Sequence, residues 1–390
     1  MTQVRTALII GGGIAGPVVA AALRRAGIAA TVVEAHAEQD DQLGGTLALA
    51  PNGVAALHAI GMDEDVVEHA TPISRQVMAF GGKRIAMPSL EDVPPLRVVH
   101  RAALHRALHE RAGVAFLFGK RLAAAHETTT GVTAMFEDGS TMEADILIGA
   151  DGVRSTVRGL IDANAPGPEF TGVIGFEGVC DHEVDLQPGT MTFAFGRRGY
   201  YLYWPEPGGG TRWGANLPWK QPLRRSEALR RHDWMSVLRE AYGDDDPGGE
   251  LIRRTDAATL QVVGGLQIMP RVPHWHRGRM VLCGDAAHAP SNSSGQGASL
   301  AIESAVQLAR CLRDLPDLPQ AFAAYERLRR DRVERIAARA ARINHAKAPG
   351  PIARTLMPVL MPLAMKAMHI ERTTGEEQRY RIDWDAPVTS

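Results

Sequence analysis

Gly11-Gly12-Gly13-Ile14-Ala15-Gly16 stands at the end of a short apolar run, Thr6 to Ile10. Behind it Val18, Val19, Ala22, Leu23 and Ala26 recur at helical spacing as far as Gly27, and Ala30 to Val33 then closes on Glu34. Strand, glycine turn, helix, strand and terminal acid make a βαβ unit suited to a dinucleotide. Gly11 permits the tight turn, Gly13 lets the backbone approach a pyrophosphate, and Gly16 lets the helix lie close to the sheet. The helix N-terminus, from Ile14 and Ala15 onward, offers free N–H groups and a partial positive charge to that pyrophosphate. Glu34 lies 18 residues past Gly16. It is placed to accept both hydroxyls of an adenosine ribose, and its charge repels the 2′-phosphate of NADP. The pattern admits FAD or NAD and does not choose between them.

Two later stretches carry further chemistry. One is Asp145-Ile146-Leu147-Ile148-Gly149-Ala150-Asp151-Gly152-Val153-Arg154-Ser155-Thr156-Val157-Arg158. The other is Arg279-Met280-Val281-Leu282-Cys283-Gly284-Asp285-Ala286-Ala287-His288, running on to Gly295-Gln296-Gly297-Ala298-Ser299. With the glycine turn, and in this order, they resemble the three fingerprints of the FAD-dependent aromatic hydroxylases, or class A flavoprotein monooxygenases, of which para-hydroxybenzoate hydroxylase is the type. The resemblance runs from residue 5 to about residue 345. Gly44-Gly45-Thr46-Leu47 is similar to the tetracycline-degrading branch.

The resemblance implies FAD in the glycine turn, with Gly45 beside it. It gives Asp151 and Gly152 a dual part, in holding FAD and in meeting a nicotinamide donor. It matches Arg101 to an arginine that reaches FAD, and the backbone of Leu122 to a position touching adenine. Asp285 follows a buried strand, at the carboxyl edge where α/β sheets bind ligands, and its carboxylate can accept a hydrogen bond from a ribityl hydroxyl. Gly295, Gln296 and Gly297 leave the backbone uncluttered where a helix, read over residues 297–313 with Ala298 in its first turn, begins. The resemblance aims that helix N-terminus at the flavin pyrimidine edge, where it stabilises the negative charge of reduced flavin. The implied reaction uses NADH or NADPH as a transient reductant and O2, and a flavin hydroperoxide then hydroxylates or epoxidises an aromatic or polycyclic small molecule. The chemistry belongs to the cofactor, so no side chain is named catalytic. The chain departs from the family at Asp40-Asp41-Gln42-Leu43-Gly44, which lacks a frequent arginine, and at Ser291 and Asn292, which replace a Pro-Pro pair after Pro290.

The elements that must position these groups follow from periodicity. Residues 53–60 and 101–112 read as helices, and residues 131–150 as a hairpin turning at Glu137-Asp138-Gly139-Ser140, then a buried strand from Ile146 to Gly149. From about 165 to 275 helical periodicity fades, and Trp204, Trp213, Trp219, Trp234 and Trp275 all fall there. Residues 170–220 and 250–270 read as antiparallel strands around a helix near 226–242, and 316–347 and 352–370 as closing helices. The expected fold class is α/β: a Rossmann-like FAD-binding domain (residues 1–165 and 276–347), an inserted antiparallel β-sheet substrate domain (166–275), and a C-terminal helical segment (348–390). Phe193, Phe195, Tyr201, Tyr203, Trp213 and Asn216 of the sheet, with Pro290 and Ser291 of the loop, are the expected substrate pocket. Alternation puts Tyr201 and Tyr203 on one face without saying which face is inward.

Composition narrows the alternatives. Of 390 residues, 43 are basic and 44 acidic, for a net charge of −1, which gives no electrostatic basis for nucleic-acid binding. The three cysteines, Cys180, Cys283 and Cys311, form no CxxC pair; neither a disulfide framework nor a metal site is expected, and a reducing, cytoplasmic setting fits. No cleavable signal precedes Thr6, and the apolar stretch between Arg354 and Lys366, broken by Pro358 and Pro362, is too short for a membrane span. His105 and His109, four apart on a helix, read as a solvated face rather than as metal ligands. The arginine-rich segment 325–347 reads as an amphipathic helix docked through Val333, Ile336, Ala340 and Ile343. Met357, Met361, Met365 and Met368 share a helical face, as core or as a soft flap over substrate. A flavin halogenase would need a catalytic lysine and a Trp-rich motif not found in place. An FAD-dependent dehydrogenase or reductase, and a non-catalytic FAD-containing protein that sequesters a ligand, remain as other readings.

Overall fold

A computed structural model describes residues 4–38, 45–88, 90, 92–223, 225–346 and 370–389. The chain opens with β1 (Thr6–Ile10), α1 (Ala15–Arg25) and β2 (Ala29–Val33). There follow β3 (Thr46–Leu49), α2 (Pro51–His58), α3 (Glu64–Glu68), β4 (Ala70–Ile73), β5 (Arg75–Phe80), β6 (Lys83–Ala86) and β7 (Leu96–His100). Next come α4 (Arg101–Ala112), β8 (Ala115–Leu117), β9 (Leu122–Glu127), β10 (Val132–Phe136), β11 (Thr141–Ala144), β12 (Ile146–Gly149) and α5 (Thr156–Ile161). The middle of the chain supplies β13 (Glu169–Cys180), β14 (Thr190–Phe195), β15 (Tyr200–Pro205), β16 (Thr211–Pro218), α6 (Arg225–Leu229), α7 (Trp234–Tyr242), α8 (Gly248–Arg253) and β17 (Gln261–Ile268). It closes with β18 (His276–Arg277), β19 (Met280–Leu282), α9 (Gly297–Asp314), α10 (Leu318–Ala346) and α11 (Ile370–Gln378).

The first sheet has the order β18-β19-β12-β1-β2-β8. Its members pair in parallel except for β18. Every residue of β12 and β19 is buried, as befits strands covered on both faces. The helices α1 and α9 lie against each other, with Val18, Val19, Ala22 and Leu23 of one and Leu300, Ile302, Ala305 and Val306 of the other in the same core.

The second large sheet has the order β17-β13-β16-β15-β14-β5-β6. Strands β5 and β6 come from residues 75–86, well before the span 166–275, and β14 pairs with β5 in parallel. The sheet is therefore mixed and is completed by an excursion from the first part of the chain. Its middle segment is also more helical than its texture suggests. Residues 248–253 form α8 rather than strand, and the single helix near 226–242 is two. Between those two the indole of Trp234 donates to the Ala228 carbonyl at 2.7 Å, which folds the chain back on itself.

The two faces of this sheet are used differently. On the back, Ile174, Phe176, Tyr201, Tyr203, Trp213 and Ala215 pack beneath Trp234, Leu238, Tyr242, Leu251 and Ile252 of the covering helices. On the front, Met191 and Trp204 pack against Ile73 and Val98 of the small sheet β3-β7-β4.

Helix α10 docks as its periodicity requires, with Val333, Ile336 and Ala340 buried. Two of its arginines are buried as well. Arg329 and Arg332 pair with the fully buried Glu303 of α9, at 2.7 and 2.9 Å. The guanidinium of Arg332 lies 4.1 Å from the ring centre of Tyr380, which ties the C-terminal stretch to the same cluster. The Met357–Met368 stripe lies outside the described residues, as does Ile343 as a side chain. No helix among the described residues is long and apolar enough to cross a membrane.

Candidate functional site

Four adjacent strands end at one edge of the first sheet, and each ends on a residue singled out by type. Asp285 follows β19, Asp151 follows β12, Gly11 follows β1 and Glu34 follows β2. The order β19-β12-β1-β2 turns residues remote in sequence into neighbours along the carboxyl edge, the place where open α/β sheets bind ligands.

The glycine turn has the shape that a pyrophosphate needs. Gly11 has φ +105° and donates its N–H to the Val33 carbonyl at 2.8 Å. A Cβ there would lie 2.4 Å from the Ala150 carbonyl oxygen, and one on Gly16 would lie 2.0 Å from the Gly11 oxygen. Around Gly13 a Cβ would meet nothing within 4 Å. Gly11 and Gly16 thus close the turn on itself, while Gly13 faces open space at the start of α1. Ile14 and Ala15 open that helix, whose first turn holds no acid to repel an anion.

Glu34 accepts the Gly12 N–H at 2.8 Å and the His36 N–H at 2.9 Å. Burial pushes its carboxyl up, but these donors and the His36 ring outweigh burial and hold it below the ordinary value. Oε1 takes both the His36 N–H and the His36 ring, whereas Oε2 takes the Gly12 N–H alone and keeps a lone pair for a ribose hydroxyl. The strand end is continued by Lys120, whose N–H donates to the Glu34 carbonyl at 2.8 Å. This brings the backbone leading to Leu122 beside the acid, while the Leu122 side chain is buried in the core.

Asp151 accepts the backbone N–H groups of Thr156 and Val157, at 2.7 and 3.1 Å, and so caps α5. Burial raises its pKa, opposed by Ser155 and by those N–H groups. Its Oδ1 is buried with no partner among the described residues. Asp285 is exposed at the strand edge, yet the protein around it still disfavours the charged form. This desolvation raises its pKa to about 6, and the charge of Arg101 offsets part of that rise. Arg101 begins α4 and donates its backbone N–H to the Gly45 carbonyl at 2.9 Å, so the two sit together.

The loop before α9 is held by its own hydroxyls. Ser291 accepts the Ser293 N–H at 3.3 Å and Ser294 accepts the Gln296 N–H at 3.0 Å. Gly295 has φ +60°, and a Cβ on Gly295 or Gly297 would meet nothing within 4 Å. Ala298 follows in a first helical turn without acids.

Two residues that sequence reasoning missed brace this ground. Glu177, on the front of β13, accepts the Thr46 N–H and hydroxyl at 2.7 and 3.1 Å, just after Gly45. Burial raises its pKa, against Thr46, Arg212 and Arg101. Asn52 donates to Gln296 at 2.9 Å and to Glu303 at 2.6 Å, fixing the Gln296 side chain at the start of α9.

Strand alternation sorts the expected pocket residues between the two sheet faces. Phe193, Phe195 and Asn216 lie on the front, in register with Leu202 and Tyr200. Phe195 stacks on Phe80 at 4.7 Å. Asn216 accepts a hydrogen bond from Asn292 at 3.4 Å, which joins the sheet to the loop carrying Pro290 and Ser291. Tyr201, Tyr203 and Trp213, also expected in the pocket, lie instead on the back of the sheet, away from Phe193, Phe195 and Asn216. Strand alternation turns them beneath α6, α7 and α8, where the Trp213 indole donates to Thr255 at 2.8 Å.

The histidines of α4 are also corrected. They form no solvated face: His105 is buried, His109 half-buried, and both rings reach the Gly12 carbonyl.

A glycine turn shaped for a pyrophosphate, an acid for the ribose and a row of strand ends under a second sheet define a dinucleotide-cofactor α/β protein. The FAD binding domain family matches residues 3–340. The aurachin C monooxygenase/isomerase of Stigmatella aurantiaca is 32% identical over 321 residues, covering 79% of this chain and 80% of that protein. The FAD-dependent urate hydroxylase of Klebsiella pneumoniae is 30% identical over 318 residues, covering 79% and 81%. Among solved structures, Klebsiella pneumoniae HpxO complexed with FAD and uric acid matches with a TM-score of 0.84 at 26% identity, over 97% of both chains. The tetracycline destructase Tet(55) shares the fold, with a TM-score of 0.74 at 19% identity over 98% of this chain and 99% of that one. The chain belongs to the FAD binding domain family, and it is an FAD-dependent monooxygenase.

Proposed function

We propose that this enzyme inserts one atom of O2 into a small aromatic or polycyclic substrate, with NADH or NADPH as the transient reductant. The observation that carries the reading is the meeting of Asn216 on the front of the large sheet with Asn292 of the loop before α9. In this reading the apolar front face that bears Phe193 and Phe195 is turned toward the loop before α9 through that contact. Relatives support the substrate class: besides the urate hydroxylase, one is named 3-amino-4-hydroxybenzoate 2-monooxygenase, from Streptomyces platensis, at 31% identity.

Bound FAD supplies the redox chemistry, accepting hydride from the donor and activating O2. In this reading Gly11, Gly13, Ile14, Ala15 and Gly16 take the pyrophosphate, Glu34 the ribose, and the backbone of Leu122 the adenine. Asp285 accepts from the ribityl chain, with Arg101 and Gly45 alongside, and Asp151 shapes the turn beside Gly11 by capping α5. Gly295, Gly297 and Ala298 present a helix N-terminus to the pyrimidine edge. Pro290, Ser291, Phe193 and Asn216 place the substrate and exclude water, which protects oxygen transfer from hydrolytic loss.

The test is turnover under isotopically labelled O2, with mass analysis of product. One labelled oxygen atom in the product supports the reading. An oxidised product without label would make the enzyme a dehydrogenase, and tight binding of the ligand without turnover would make it a sequestering flavoprotein.

A further inference from the structure

Helix α4 carries His105 and His109 one turn apart, and both converge on a single backbone atom. The two Nε2 atoms lie 2.8 and 2.6 Å from the Gly12 carbonyl oxygen. The rings are 4.1 Å apart, and the His109 ring stacks on Phe116 at 4.1 Å, so both are held in place. A carbonyl oxygen only accepts, hence each ring must present Nε2–H, and both lone pairs of that oxygen are used. Burial lowers the pKa of His105 to about 4, with His109 adding to the effect, and burial also lowers that of His109. Both imidazoles are therefore neutral near pH 7, with one N–H each, and that N–H is committed to Gly12.

Gly12 is also held from its other side, by Glu34, which accepts its N–H at 2.8 Å. The peptide joining Gly12 to Gly13 is planar and trans, so its N–H points opposite to its C=O. With the oxygen drawn toward α4, the Gly13 N–H is turned away from α4. It makes no hydrogen bond to the described residues, and the surroundings of Gly13 are open, since a Cβ there would meet nothing within 4 Å. Two donors on one carbonyl also polarise the peptide and strengthen its N–H.

We propose that His105 and His109 are positioning residues for the cofactor's pyrophosphate, aiming and strengthening the Gly13 N–H through the Gly12 carbonyl. They touch no cofactor atom themselves. The proposal rests on the reading of the glycine turn as the pyrophosphate site.

The discriminating measurement is the affinity of the flavin-stripped, full-length chain for ADP and for adenosine, which differ by the pyrophosphate. Loss of one weak charge-assisted hydrogen bond, from the Gly13 N–H to the pyrophosphate, corresponds to about a tenfold change. In His105→Leu/His109→Leu, ADP should bind about tenfold more weakly, and adenosine should stay within about twofold of wild type. His109→Gln, whose amide nitrogen reaches where Nε2 lies, should keep ADP within about twofold of wild type while His109→Leu does not. If the double variant fails to fold, this single pair carries the comparison, since the His109 ring is only half-buried. Equal loss of both ligands would assign the pair a merely structural tie, and unchanged ADP binding would overturn the inference outright. A wild-type chain that binds neither ligand would instead overturn the pyrophosphate reading of the turn.

Discussion

Although Asp285 is exposed, the protein around it holds its carboxyl well above an ordinary aspartate, at about 6, with Arg101 offsetting part of the rise. In the proposed reading Asp285 accepts from the ribityl chain, so its loss would remove a charge-assisted bond of about 1.5–3 kcal/mol and Asp285→Ala should bind FAD about 10- to 150-fold more weakly. Unchanged flavin occupancy at limiting FAD would take Asp285 out of the site. The raised pKa also fixes a sign. The folded chain holds a proton that the unfolded chain has released between about pH 4 and 6, so the ionised carboxyl lowers stability above that window. Flavin-stripped Asp285→Asn should melt above wild type near pH 7.5, and the gap should close as pH falls through about 6 toward 4. A gap that does not change with pH would contradict the desolvation argument. Asp285, Glu34 and the glycines were legible in the sequence because their types are chemically specific and their local spacing is short. Glu177 and Asn52 were not. Their partners Thr46 and Gln296 stand 131 and 244 residues away, a separation that only the assembled sheets close. His105 and His109 had a visible spacing, but their partner is a backbone oxygen, which leaves no mark in a side-chain pattern.

Two glycines of one turn separate packing from binding. Gly16 allows α1 to rest on β1, and a Cβ there would sit 2.0 Å from the Gly11 carbonyl oxygen. Gly13 has open surroundings. Gly16→Ala should therefore lower the melting temperature of the flavin-stripped chain, because backbone must move. Gly13→Ala should leave that temperature unchanged and still weaken FAD binding, because the methyl group meets the ligand rather than the protein. Thermal melts of both variants with and without FAD check the pair, and equal destabilisation without ligand would refute the distinction. The large sheet illustrates the limit of pattern reading at this level. Alternation puts Tyr201 and Tyr203 together, but which face turns inward depends on α6, α7 and α8 covering one side and on β5 and β6 joining the edge. With the front assigned, Asn216→Ala should raise KM for the substrate or increase peroxide leakage, whereas Tyr203→Phe should change neither. Steady-state assays that show the reverse would return the pocket to the back face.

Across the whole molecule, a single dinucleotide unit has to serve a cofactor that meets two partners. The described residues contain one βαβ glycine turn, and in the proposed reading FAD fills it, so the nicotinamide donor has no permanent cradle and meets the flavin through an open cleft. Oxygen transfer needs a closed and dry one. The loop before α9 stands where these demands conflict. It is knitted by its own serines and meets the large sheet through Asn292 and Asn216 at 3.4 Å, a long hydrogen bond that contributes little by itself. A substrate lying between loop and sheet adds contacts to both and so favours one arrangement over the other. Its leverage is bounded by its differential affinity for the two states, and about 2–3 kcal/mol corresponds to roughly 30- to 150-fold. NAD(P)H oxidation should accordingly be slow without substrate and accelerate by that order when the true substrate is present. The polar residues Ser291 and Asn292 leave this control incomplete, so some reducing equivalents should emerge as H2O2. Anaerobic stopped-flow reduction of the flavin, with and without substrate, reads the effect directly. Equal rates in the two traces would refute substrate gating and leave a cleft that admits the donor at all times.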